Sequence, residues 1–472
     1  MAMAGGVAAQ QKMSLQDAAS RAVLKNPEVL AKWHVFGAAG EERNVSFGGY
    51  LPTVDVVAGT ARVYLNDPLV TTVPHYTQDN VSLILRQMLF DGFATSSDVK
   101  RLDHAKRVRY FELLDTSESA ALEAVRAYED VLRYQKLVEY AEENYAQHKL
   151  VYDQISERTK KGVSRGVDLE TATGRLALAE SNLLTDTSNL HDVSARFQRV
   201  VGDKPTNLVE EPKSLSSGMP ATPAAALKKA FDKAPQLLAS MENIQAAQAD
   251  VEVRRANYYP RLDFRLQNDS GHDLNGILGK TDSTTAALEL RLNIFNGRRD
   301  ESRINQYTQQ LNVAKDLRDK TCRDVRQTLV IALNDVGKLK EQLGYLDQHQ
   351  LSTDKASQAF RNQFDIGQRT LLDLLDTENE FFQARRAYVN AERDLDIAYA
   401  RVHAASGDLL AALGIAPVEP EGPKEVEPMT EDVMARCPEE GPDVMVVDKD
   451  KAVQKALRLR PVRSNESAPA PR

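Results

Sequence analysis

The first half of the chain recurs in the second, and this duplication constrains the fold more than any other feature. Asn26-Pro27 reappears as Ala234-Pro235 and Tyr50-Leu51-Pro52 as Tyr258-Tyr259-Pro260, 208 residues later. After a net gap of three the spacing is 205: Phe90-Asp91-Gly92 meets Phe295-Asn296-Gly297, Gly162 meets Gly367, Asp168 meets Asp373, and Gly202-Asp203 meets Gly407-Asp408. Chance does not hold so many glycines in register. The chain therefore reads as two structural repeats, residues 14–203 and 223–415, joined by a segment at 204–222. Residues 1–13 precede them, and residues 416–472 follow as an extended tail rich in proline and acid.

Each repeat reads as helix, two strands, long helix, sharp turn, helix. The first helix opens at Ser14 with Asp17 three residues on, a capping-box spacing, and a second runs from Pro27 to about Phe47. Residues 261–267 and 286–294 alternate apolar and polar, as strands with one greasy and one wet face do. Residues 53–65 and 77–89 are their less regular equivalents, and turn-rich loops at 66–75 and 268–280 join each pair. Between Gly92 and Gly162 there is neither proline nor glycine, which allows a helix of ~100 Å. Its apolar residues recur every seven, at Ala124, Val131, Val138, Tyr145 and Tyr152, with a second rail at Ala127, Tyr134, Ala141, His148 and Ile155. The duplication preserves that phase, and the returning helices carry seams at Leu169, Leu176, Leu183, Leu190 and at Leu374, Phe381, Tyr388, Leu395. Each long helix thus forms a coiled-coil hairpin with its successor.

Composition narrows the partners. Lys plus Arg total 60 against 68 acidic residues, and no basic run offers a phosphate-binding footprint, so nucleic acid is not an expected partner. No window approaches the ~18 consecutive apolar residues of a spanning helix. Met1 to Gln10 is too short for a complete signal peptide, so an exported chain would have had its signal removed or replaced. Two cysteines, Cys322 and Cys437, exclude a disulfide framework; Cys322 falls in a helical heptad and reads as a buried small hydrophobe. Gly279-Lys280-Thr281 lacks the earlier glycine of a phosphate loop, and the histidines have no metal-ligand spacing. Neither an enzyme nor a cofactor is expected.

Four strands of about ten residues cannot leave a greasy face in water while the helices are committed to one another. Lipid is the natural cover. A closed membrane barrel needs at least about eight strands, so four per chain demand oligomerisation, and a homotrimer would give twelve. Leu262, Phe264, Leu266, Leu288, Leu290 and Leu292 are then expected to face lipid, with Asp263, Arg265, Glu289 and Arg291 toward the lumen. Tyr50, Phe90, Tyr258, Tyr259 and Phe295 cluster where strands meet helices, as an interfacial aromatic belt would. A soluble coiled-coil scaffold is the competing reading, and it has no use for the strands.

This duplicated plan, with Phe364-Asp365-Ile366-Gly367-Gln368-Arg369-Thr370-Leu371-Leu372-Asp373-Leu374-Leu375-Asp376 at the second turn, resembles the TolC family of outer-membrane factors over residues 14–415. The resemblance implies a mainly α, α+β fold: a trimeric twelve-stranded outer-membrane β-barrel, four strands per chain, continued through the periplasm by a long α-helical coiled-coil barrel. It implies partners too, a periplasmic adaptor and an inner-membrane ABC transporter. The segments 86–92 and 174–180 look most like members serving type I secretion of large adhesins, so a protein substrate is expected; a multidrug-efflux duct of the same fold is the alternative.

By residue match, the resemblance puts Asp373 and Asp376 at a pore constriction, where six carboxylates of a trimer would favour cations. Thr370 and Asp373 also have capping-box spacing. Arg369 matches an arginine that holds the tube closed against a neighbouring turn, with Asp168 as its carboxylate partner. Where the family has a tyrosine, this chain has Phe364, so closure is expected to lean on Arg369 and Asp168. The turns themselves, Gly162, Val163, Ser164 and Gly367, Gln368, Thr370, are the expected adaptor-docking sites. Because a turn at the end of a ~100 Å lever is expected to carry little core, a few charge-assisted hydrogen bonds would decide whether it splays.

Overall fold

A computed structural model describes residues 12–64, 75–206, 208, 212–220, 222–274, 277–419, 422 and 451. The first repeat contains α1 (Leu15–Lys25), α2 (Pro27–Phe47), β1 (Thr53–Tyr64), β2 (His75–Phe90), α3 (Ala94–Lys160) and α4 (Gly166–Val201). The second contains α5 (Pro223–Lys233), α6 (Pro235–Arg255), β3 (Arg261–His272), β4 (Lys280–Arg291), α7 (Arg299–Asp365), α8 (Leu371–Ala405) and the short α9 (Leu409–Leu413). The duplication extends to element length: α1 and α5 have 11 residues, α2 and α6 have 21, and α3 and α7 have 67.

Local chemistry sets these boundaries. The Ser14 hydroxyl accepts the Asp17 N–H at 3.1 Å while the Asp17 carboxylate accepts the Ser14 N–H, completing the capping box. Asn26 accepts the Glu28 N–H ahead of Pro27, whose fixed φ suits the first helical position. Where strand passes to long helix, Gly92 and Gly297 both have φ +71°, and the next residues, Phe93 and Arg298, share the left-handed conformation. A Cβ on Gly92 would meet the Ala256 carbonyl at 2.6 Å, so only glycine fits this turn.

The four strands form one antiparallel sheet in the order β1-β2-β3-β4. β3 and β4 are longer at the loop end than alternation predicts, because the polar residues there bond across the ladder: Asn268 donates to the Thr284 hydroxyl at 2.9 Å, and Ser270 to Asp282 at 2.5 Å. β4 stops at Arg291, so Leu292, expected on the strand, lies just beyond it. Most of the first loop, 65–74, falls outside the described residues, as does most of the tail.

One core lies midway along the long helices, where α3 from Ser117 to Leu132 is largely buried and α3 packs against α1, α6, α8, α9 and α4. Tyr128, Phe197, Leu227 and Leu237 are among its fully buried side chains. Toward the far turns the burial of α3 narrows to Ala141, Asn144, His148, Val151 and Ile155, which is a two-rail coiled-coil seam. On α4 the buried rail is Ala172, Ala179 and Asp186, three residues along from the expected leucines, which are half-buried. Ala172 and Ala179 are small, and Asp186 is paired with Arg386 of α8. Cys322 is buried as its heptad position predicts, and it is also disulfide-bonded, which the heptad does not reveal.

Candidate functional site

The sheet is two-faced. Leu262 stands opposite Leu290, Phe264 opposite Leu288, and Leu266 opposite Ala286 and Leu85. The same face continues through Leu83 and Val81 on β2 to Val54 and Val56 on β1. Leu288 and Leu290 are 68% and 70% exposed, far more than water tolerates for a contiguous apolar sheet face. The opposite face carries Asp55, Arg86, Arg265 and Glu289, with Arg86 bonding Asp55 at 3.4 Å and Arg265 bonding Glu289 at 3.5 Å. The edges of β1 and β4 have no partner strand within the described residues. A hydrocarbon environment forbids open edges, so this sheet is a sector of a closed barrel.

At the sheet's helical end four of the expected aromatics, Tyr50, Tyr258, Tyr259 and Phe295, are between 39% and 80% exposed, while Phe90 is half-buried. Two that sequence reasoning passed over join them: Phe47 meets Tyr50 edge to face at 5.5 Å, and Phe93 lies between Phe90 and Tyr259.

The far turns repeat one another. Gly162 and Gly367 have φ +71° and +79°, and each long helix closes with a bond from the residue after the glycine: Val163 N–H to Arg158 O at 2.9 Å, Gln368 N–H to Gln363 O at 2.8 Å. Val163 is 78% exposed, and Gln368 and Thr370 are also at the surface. The descending helices are capped alike. The Asp168 carboxylate accepts the Arg165 N–H and the Ser164 hydroxyl at 3.2 and 3.1 Å. Asp373 accepts the Thr370 hydroxyl and N–H at 2.8 and 3.2 Å, and these bonds, with the Arg369 charge, hold its carboxyl below the usual range.

Within one chain neither a hydrogen bond nor an ion pair joins Arg369 to Asp168 among the described residues. Arg369 instead donates to Gln363 at 3.0 Å and lies over the Phe360 ring at 4.4 Å. Asp376 pairs with Arg175 of α4. The expectation of a core-poor tip is corrected by a second apolar cluster: Val151, Ile155, Ala172, Phe364, Leu371, Leu374 and Leu375 from all four hairpin helices. Phe364 is 6% exposed, with Arg158 over its ring at 5.6 Å, so the missing hydroxyl is replaced by packing. Above the cluster, Arg361 and Ser357 bond Glu378, each at 2.9 Å, beside the buried His148. Arg175 and this charged belt were missed, although Arg175 lies seven residues after Asp168, on the same helix face.

Such a chain is one sector of a membrane tube: a barrel face for lipid, a polar inner face, and helical hairpins reaching ~100 Å to a turn end. The chain belongs to the outer membrane efflux protein family, whose model matches residues 18–203 and 226–408, one segment in each repeat. It is an outer-membrane channel protein with a large periplasmic helical part, and its four strands are a third of a trimeric twelve-stranded barrel. It is similar to outer membrane efflux protein BepC of Brucella suis, 26% identical over 73% of this chain and 76% of that protein. Outer membrane protein TolC of Escherichia coli is 21% identical over 94% and 93%. Alkaline protease secretion protein AprF of Pseudomonas aeruginosa is 22% identical over 84% and 85%. A crystal structure of a Pseudomonas aeruginosa membrane protein shares the fold, with a TM-score of 0.76 at 17% identity over 84% of this chain and 91% of that one.

Proposed function

We propose that this channel is the exit duct of a type I secretion system, passing a large adhesin from an inner-membrane ABC transporter, through a periplasmic adaptor, to the cell surface. The observation that carries the reading is the end-to-end likeness to a protein named for alkaline protease secretion, taken with the secretion-like segments at 86–92 and 174–180. A drug-efflux duct is the second reading, favoured by the higher identity to BepC. Both use the same tube. A passive duct needs no active site; it needs a wall that lipid accepts, a lumen, and a closable end.

In this reading Asp373 and Asp376 line the constriction at the periplasmic end. Arg369 reaches Asp168 of a neighbouring hairpin when three chains assemble, since within one chain each is held by its own turn. The adaptor docks on the exposed turns, where the repeats present Val167 and Leu372 at equivalent positions, 73% and 53% exposed. Cysteines at Val163 or Gln368 test this in cells. Crosslinks to the adaptor of an ABC-driven exporter, together with loss of a giant surface protein on deletion of the channel, are expected. Crosslinks to the adaptor of a proton-driven pump, with surface proteins intact, would favour efflux.

A further inference from the structure

Arg175 is the feature of the turn region that the channel reading does not explain. It projects from α4 of the first hairpin and closes an ion pair with Asp376 on α8 of the second. The two are held at this meeting point from both sides. Toward the tip, Ala172 lies one turn before Arg175 and Leu374 and Leu375 just before Asp376, and all three belong to the apolar cluster. Toward the membrane, Arg361 and Ser357 both donate to Oε1 of Glu378, while the Arg175 guanidinium closes on Asp376. The Asp376 side chain keeps 53% exposure and Arg175 keeps 29%, so the pair sits at a surface rather than in the seam.

We propose that Arg175 is a selectivity-determining residue of the duct, neutralising Asp376 so that Asp373 alone supplies unpaired negative charge at the constriction. The inference rests on the reading of Asp373 and Asp376 as constriction residues. A ring of six carboxylates would hold cations strongly, and pairing half of them with guanidinium groups weakens that field without removing it. Arg175 acts here through a planar guanidinium that is always charged, so its own positive charge does not vary with pH.

The test is the reversal potential of the purified full-length trimer in planar bilayers under a tenfold KCl gradient. Arg175→Gln is expected to raise the potassium-to-chloride permeability ratio by at least about twofold, and Arg175→Lys to stay near the starting value. Asp376→Asn leaves Arg175 without its carboxylate and is expected to lower the ratio, while Arg175→Gln with Asp376→Asn returns it toward the starting value. A higher conductance in Arg175→Gln at an unchanged permeability ratio would make the pair a structural tie only and overturn the proposal. The constriction reading itself fails if Asp373→Asn and Asp376→Asn, singly and together, leave selectivity unmoved. If Asp376→Asn shifts selectivity while Arg175→Gln does not, the constriction stands and the role of Arg175 is wrong.

Discussion

Replacing Phe364 with Ala tests what holds the hairpin tips together. The ring is 6% exposed and packs among Val151, Ile155, Ala172, Leu371, Leu374 and Leu375, contributed by all four hairpin helices. Truncating a buried Phe to Ala costs about 3–5 kcal/mol, and the low end applies here because a small cluster near solvent relaxes into the space. Loss of the Arg158 contact at 5.6 Å adds about 0.5–1 kcal/mol. Since the main core lies far along the helices, the effect is local: the tip opens while the rest of the trimer stays folded. At 1.4 kcal/mol per tenfold, a loss of about 3 kcal/mol makes exchange-competent opening roughly a hundredfold more frequent. Hydrogen exchange in detergent would read this in peptides covering 145–172 and 357–378, with peptides at 117–132 as the internal control. Single-channel conductance should rise in the same variant. Unchanged exchange at the tips would refute the argument and return closure to Arg369 and Asp168.

Three other substitutions probe the rest of the molecule. Leu290→Arg puts a charge on the lipid face at a cost of about 2–4 kcal/mol near the midplane; heat-resistant trimers should become scarce on gels, and normal yields would argue against the barrel face. Arg369→Ser should raise bilayer conductance, by no more than about fivefold if the lost contact is worth about 1 kcal/mol, and no change would mean the Phe364 cluster closes the tube unaided. Glu118 accepts the Leu409 and Leu410 N–H groups, yet burial pushes its carboxyl from 4.5 up to about 8. Its contribution to stability is therefore fully present below pH 4.5 and lost as pH rises to about 8, so Glu118→Gln should flatten the fall in melting temperature across that window. An unaltered slope would remove Glu118 from the account.

The repeat, the strands and the long helices were legible because each follows from a local rule: glycine register, period two, and an unbroken run without proline. The capping boxes at Ser14 and Thr370 were legible for the same reason, since a cap is written within four residues. What stayed hidden is non-local. Nothing near Phe364 in sequence indicates that Val151 and Ala172 close over it, and Asp376 looks like a free carboxylate until α4 brings Arg175 beside it. The end of β4 was misplaced because Leu292 continues the alternation past the last ladder pair, Arg261 with Arg291. The disulfide of Cys322 was hidden by the same limit, because a heptad position records burial and not covalent partners.

This sheet is an incomplete sector that closes only with two copies of itself. Native mass spectrometry of the detergent-extracted protein tests it most directly. A single species of three chains, each of 52.4 kDa, is the expected result, with nothing released into the aqueous fraction. A stable monomer recovered without detergent would contradict it, since an exposed leucine face and two open strand edges cannot persist alone in water.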